Sequence, residues 1–327
     1  MNVLFIGGTG QISLPCVERA VAQGHQIAVL NRGTTSVPLP DGVETIVGDM
    51  SAANPYVNLG QRTFDVVCQF RAFTPDQVEN DIATFNGKAG QYIFISSASV
   101  YQKPATNFVI TEEKTPAINP YWKYSQAKIA CEEVITNSSG LNWTIVRPSH
   151  TVRTGLPGQI GSGDGFARRL LAGKPVLVTG DGTSLWTLTR AADFAVPFVN
   201  LFGKAHAMRD TFHITQHMFG YTWDQITRAI ARGLGVEAEI VHVPTDTLVK
   251  YNPDWIGPLT GDKIWSALFD NSKVMKVAGD FTCEKDLDKV LAEPIANYKS
   301  RAAAPAQPDP EDALMDRIIA DQRALGA

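Results

Sequence analysis

The sequence predicts an α/β fold, a doubly wound parallel sheet followed by a smaller C-terminal α+β lobe. Three observations carry that expectation. Short apolar runs alternate with longer stretches of helical period through the first half, the pattern of parallel strands joined by helical crossovers. A glycine-rich turn follows the first run directly. The 327 residues, 44% hydrophobic and 19% charged, also make a chain long enough for two domains, one that buries roughly three quarters of its unfolded surface without disulfide or metal staples.

Taken in order, residues 3–6, 26–30, 44–47, 65–68, 92–95 and 143–146 are six strand candidates. Between the first two, Ile12, Val17, Ala20 and Val21 mark an apolar helix face. Pro15 falls in the first turns of that helix and Gly24 at its C-cap. Beyond about residue 150 the pattern loosens into a glycine-rich stretch, residues 155–165. Helical stretches follow near 166–173 and 190–202, then a strand at 211–214, a helix at 223–233 and a strand at 239–243. Residues 301–310, with four alanines and three prolines, read as a linker, and Glu311 onward as a terminal helix. The expected division is residues 1–150 as the first domain with a returning segment at about 186–215, residues 151–185 and 216–300 as the second lobe, and 301–327 as linker and terminal helix.

Lys+Arg 29 against Asp+Glu 33 gives a net charge of -4, without the basic excess that phosphate-backbone binding shows. Nucleic acid is therefore not an expected partner. Cys16, Cys68, Cys131 and Cys283 lie far apart with no CxxC or Cys/His spacing, so reduced thiols are expected rather than a zinc site or disulfide framework. His25, His206, His213, His217 and His242 show no HxxxH or HExxH spacing and read as surface or satisfied core residues. The N-terminal residues enter a strand at once, and no run approaches the roughly 18 apolar residues of a membrane span. A cytoplasmic protein with no membrane partner is the expectation.

The chemistry begins at Gly7-Gly8-Thr9-Gly10-Gln11-Ile12-Ser13, a GxxGxxG-like turn between a strand and a helix, with Ser13 in place of the third glycine. Glycines let the backbone approach a pyrophosphate, which rests on the N–H groups of the following helix. This is a Rossmann-like NAD(P)-binding unit, and Ser13 is expected to weaken its closest helix-to-strand packing. The second strand ends Leu30-Asn31-Arg32. An uncharged Asn31 before Arg32, where a carboxylate would hold the NAD ribose, leans toward the 2'-phosphate of NADP. The fifth strand runs into Ser96-Ser97-Ala98-Ser99, and Tyr124 and Lys128 follow at helical spacing, facing one ligand. An ammonium beside a phenol favours the phenolate and brings it toward the range of a useful general base. Ser97 hydrogen-bonds the reacting oxygen, and Lys128 also binds the nicotinamide ribose.

The glycine turn, Gly48-Asp49, Ser97, and Tyr124 with Lys128, in that order, resemble the extended short-chain dehydrogenase/reductase family, the NAD-dependent epimerase/dehydratase group. Residues 146–149 and Gly180-Asp181-Gly182 extend the likeness to about residue 290. The resemblance implies catalytic Ser97, Tyr124 and Lys128, hydride transfer at a sugar carbon, and a homodimer through the helix of Tyr124. It implies cofactor contacts from Gly7, Gly10, Gln11, Ile12, Asn31, Arg32, Asp49, Tyr124, Lys128 and Pro148, with Asp49 at the adenine. Substrate contacts are expected from Ser99, His150 and Trp186. The acid pair of the family's 4,6-dehydratases is replaced by Ala98 and Ser99, which favours a 4-epimerase type. The arginine that holds a nucleotide-sugar diphosphate is replaced by Trp186, leaving Arg168, Arg169 or Arg190 to supply that charge, or a substrate without diphosphate. An NADPH-dependent carbonyl reductase is the alternative enzyme. Residues 212–215 and 221–243 are also similar to chloroplast stem-loop-binding proteins, an RNA-binding alternative that the retained Tyr124 and Lys128 disfavour.

Overall fold

The computed structural model describes residues 1–161, 163–301 and 311–325; the linker expected at 301–310 lies, apart from Arg301, outside them. Seven parallel strands form the central sheet: β1 (Asn2–Ile6), β2 (Gln26–Asn31), β3 (Glu44–Val47), β4 (Phe64–Gln69), β5 (Ala89–Ile95), β6 (Trp143–Pro148) and β7 (Asp210–Ile214). Their spatial order is β7-β6-β5-β4-β1-β2-β3. The order reverses next to β1, which places the crevice for a ligand at the carboxyl ends of β1 and β4.

Both faces of this sheet are buried, which is why its strands read as near-continuous apolar runs. Val3 and Phe5 on one face pack with Val17 and Ala20 of α1 (Ser13–Ala22) and Phe194 and Phe198 of a later helix, Ala191–Asn200. Leu4 and Ile6 on the other face pack with Val78 and Phe85 of α2 (Pro75–Phe85) and Cys131 and Ile135 of α3 (Lys123–Thr136). The chain crosses to the second lobe after β6 and returns to lay β7 beside it, Phe212 opposite Val146. The second lobe has its own core, where Trp186, Leu188, Trp223 and Ile230 pack with Leu291 and Ile295 of the helix Leu287–Arg301. The terminal helix Asp312–Ala324 is clamped onto this lobe by Arg169, which bonds Asp312 and Asp316.

One polar group sits deep in the first core. The Asp81 carboxylate, fully buried on α2, accepts hydrogen bonds from Tyr92 Oη at 2.5 Å, from Gln69 Nε2 at 2.7 Å, and from Tyr56 Oη. A buried carboxylate is tolerable only with such donors. Gln69 then uses its other end to accept the Arg71 N–H at 2.6 Å, so the network also fixes the chain as it leaves β4.

Replacing Tyr92 by Phe removes one donor and is expected to lower stability by roughly 1–3 kcal/mol in urea unfolding. Burial pushes the Asp81 carboxyl up to about 6, so its stabilising contribution is complete below its unfolded value of about 4 and is lost as pH rises through 6. The gain in unfolding midpoint between pH 7 and pH 5 should accordingly be smaller in Asp81→Asn than in the parent chain.

Candidate active site

The turn after β1 is shaped by what its glycines omit. Gly7 has φ 87°, and a Cβ there would lie 2.3 Å from Cγ of Arg71. A Cβ on Gly8 would lie 2.7 Å from Val29 on β2, so Gly8, not position 13, provides the close helix-to-strand approach. Ser13 does not weaken this packing. Its Oγ accepts the Gly10 N–H at 2.9 Å and closes the turn from inside.

Beside the turn runs a groove lined by Gly7, Gly10, Asn31, Arg32, Asp49 and Arg71. Asn31 Oδ1 accepts the Gly33 N–H at 2.8 Å, bending the chain at the end of β2. Asp49 accepts the Ser51 N–H at 3.0 Å, and that bond, with the charges of Arg32 and Arg71, holds its carboxyl below the ordinary range. Arg71 escapes the sequence reading because it belongs to no motif; only its place just after a strand at the crevice marks it.

Gln11 serves the other side of the turn. Its Oε1 accepts the N–H groups of Thr154 and Gly155 at 3.2 and 3.0 Å, and its Nε2 donates to the Thr151 carbonyl at 3.2 Å. Its amide is thus committed to the second lobe, although the residue lines the inner end of the crevice with Ile12, Pro148 and Ser149.

The three expected catalytic residues meet at that inner end. Ser97, Tyr124 and Lys128 all line it, and the Ser97 hydroxyl acts on the Tyr124 phenol to favour its ionised form. Ser97 Oγ is also 2.9 Å from Ser99 Oγ, which accepts from Ser125 Oγ at 2.8 Å. Ser99 is therefore a buried support for Ser97, at the wall of the substrate cavity. Lys128 departs from expectation. Its ammonium, on a residue 2% exposed, donates to the carbonyls of Ala72 and Ile95, both at 2.8 Å, and lies 4.6 Å from the ring centres of Phe73 and Phe94. Burial brings it down to about 8. The Tyr124 phenol, expected to be lowered by this ammonium, is instead raised by burial, which outweighs the lowering by the Ser97 hydroxyl, with smaller upward pushes from Asp262 and Cys131. The physical reason is orientation, since the ammonium is turned into the strand ends.

Beyond Tyr124 opens a cavity of about 270 Å³. Trp186 forms part of its wall, 4% exposed, stacked on Trp223 at 5.3 Å and edge-on to His150 at 6.0 Å. It is a core residue and a pocket residue at once. Burial and the Lys263 charge push His150 down to about 3, so its imidazole is neutral. Lys103, Trp122 and Asp262 also line this cavity. Lys103 comes from a loop and Asp262 from a single short helical turn, neither with periodicity or motif, so the sequence offered no signal for them. Arg169 is paired with Asp312 and Asp316, and Arg190 with Asp193; neither they nor Arg168 line the cavity.

Residues 7–163 match the family model described as NAD(P)H-binding. That match spans just under half of the chain. The chain is 29% identical over 270 residues to the chloroplast stem-loop binding protein of 41 kDa b of Arabidopsis thaliana, covering 77% of this chain and 66%, just under two thirds, of that relative. It is 23% identical over 292 residues to the 2'-dehydrokanamycin reductase of Streptomyces kanamyceticus, covering 86% of this chain and 80% of that one. An epimerase from Methanothermobacter thermautotrophicus superposes with TM-score 0.72 at 16% identity, over 92% of this chain and 93% of that chain, a likeness of fold. The sheet order and this likeness together establish a Rossmann-like α/β fold.

The residues present fit a nicotinamide dinucleotide. Gly7 and Gly10 line the crevice from the turn after β1, and the buried hydroxyl of Ser96, at the inner end of the crevice, has no hydrogen-bond partner among the described residues. Lys128 retains one of its three N–H donors for a ligand. Lys128→Met should leave two core carbonyls unpaired. The expected outcome is a loss of roughly 2 kcal/mol in chemical denaturation, together with weaker NAD(P)H binding in a fluorescence titration.

Proposed function

We infer that the protein is an NAD(P)-dependent oxidoreductase acting on a sugar-type ring, moving a hydride at a secondary carbinol through its ketone. The observation that carries this reading is the meeting of Ser97, Tyr124 and Lys128 at the junction of the dinucleotide crevice and an indole-walled cavity. The bound nicotinamide supplies the hydride acceptor and donor. Ser97 donates a hydrogen bond to the substrate oxygen, and the Tyr124 hydroxyl exchanges a proton with it. Lys128 fixes the strand ends and offers its remaining N–H to the cofactor ribose. Pro148 and Ser149 flank the reacting ring, and Trp186 and Trp122 present apolar faces to the sugar C–H groups.

In an epimerase-type cycle the ketone turns within the cavity and takes the hydride back on its other face. A second reading, a reductase that consumes NADPH, is favoured by two features. Burial keeps Tyr124 protonated, the form needed to protonate an alkoxide as a ketone is reduced. Arg32 and Arg71 together border the groove at the end of β2, where two guanidinium groups suit a 2'-phosphate. The kinship of 23% identity with a dehydrokanamycin reductase supports the same side. Mass spectrometry of the released cofactor separates the two, a tightly held NAD with no net change in nicotinamide absorbance marking the epimerase and exchangeable NADPH the reductase.

Tyr124→Phe should lower turnover by roughly 10²–10⁴-fold while cofactor affinity stays unchanged. Retained turnover in that variant would overturn the role given to Tyr124, and binding of structured RNA by a parent chain that shows no turnover would overturn the enzyme reading. In a separate titration, Arg32→Ala and Arg71→Ala should each raise the Kd for NADPH by about ten-fold or more and leave that for NADH nearly unchanged.

A further inference from the structure

Asp262 sits on a one-turn π-helix, Leu259–Lys263, a local winding found frequently at functional sites. That turn is docked on the catalytic segment. Asn119, 3% exposed, donates through Nδ2 to the carbonyls of Ser99 and Gly261, both at 2.7 Å. The Trp122 side chain, one residue before α3, lies in a notch made by two glycines, where a Cβ on Gly257 or Gly261 would come within 2.4 or 2.8 Å of it. Asp262 is therefore held in fixed relation to Ser97 and Tyr124, in the wall of the same cavity.

No hydrogen bond from the described residues steadies its carboxylate; burial and the charges of Lys103 and Lys263 alone act on it. Lys263 is committed elsewhere, donating to the Gly158 carbonyl at 2.6 Å. Lys103, 4% exposed, remains in the cavity wall. Asp262 is partly buried in the cavity wall, and a carboxylate there without donors is costly unless a ligand or water brings them. Ser97, Ser99, Tyr124, Ser149, Thr187 and Asp262 bring side-chain oxygens to the lining of this cavity. Of these, Asp262 is the one pure acceptor.

Resting on the oxidoreductase reading above, we propose that Asp262 is the specificity-determining residue of the cavity. Its carboxylate accepts the hydroxyl next to the reacting carbon, so the substrate is a neutral ring polyol bearing a vicinal diol, with Lys103 donating to the same hydroxyl's oxygen.

The test uses the full chain saturated with NADP⁺, titrated with trans-cyclohexane-1,2-diol or with cyclohexanol and followed by tryptophan fluorescence. The parent chain should bind the diol ten- to a hundred-fold more tightly, the range of a hydrogen bond to a charged group. Asp262→Asn should lose that preference while still binding cyclohexanol and NADP⁺ as before, and Asp262→Glu should recover part of it. Equal binding of the two probes by the parent chain, a preference that survives in Asp262→Asn, or an equal loss for both probes would each overturn the proposal. Tyr124→Phe should keep the diol preference and stop hydride transfer. If the parent chain itself transferred no hydride, the oxidoreductase reading would fall while the diol preference stood.

Discussion

A single buried ammonium ties the site together. Lys128 reaches from α3 under the crevice and pairs with carbonyls at the ends of β4 and β5, between two aromatic faces. A cation withdrawn from water is costly, and these oxygens and rings offset that cost. In return the ammonium pins the segments after β4 and β5 against α3. Those segments carry Arg71 and Phe73 on one side and Ser96 and Ser97 on the other. The spacing of cofactor groove, serine and tyrosine therefore rests on one side chain that the simplest reading treats only as a neighbour of Tyr124.

The second lobe is locked to this frame from two directions. Asn119 and the Trp122 indole fasten the turn of Asp262 to the start of α3. Arg153 donates to the carbonyl of Gln11 at 3.2 Å, adding to the bonds that the Gln11 amide makes with residues 151–155. The segments that carry Ser97 and Tyr124 and the turn that carries Asp262 are thus joined by hydrogen bonds through Asn119 rather than merely facing one another. This tolerance of close contact depends on small residues. Gly257 and Gly261 admit an indole, and Gly8 admits a strand.

Much of the sheet is legible from sequence because strands buried on both faces write continuous apolar runs; residues 44–47 coincide with β3, and the other five candidates fall inside β1, β2, β4, β5 and β6. The glycine turn and the tyrosine–lysine spacing are legible for the same reason, as local geometry fixes their residue types. Orientation is not local. Whether the Lys128 ammonium points at Tyr124 or at two carbonyls depends on where loops 70–73 and 95–97 come to rest. Asp262, Lys103 and Arg71 are invisible for a related reason, each arriving from an irregular segment whose position is set by the packing of something else. Ser13 is a milder case, in which one hydroxyl does the work of closing the turn while the glycine that matters for packing stands at position 8.

The turn of Gln11 walls the dinucleotide crevice, while the Gln11 amide holds the segment that leads into the cavity. Whatever settles on the turn therefore bears, through one amide, on the position of the segment that leads into the cavity.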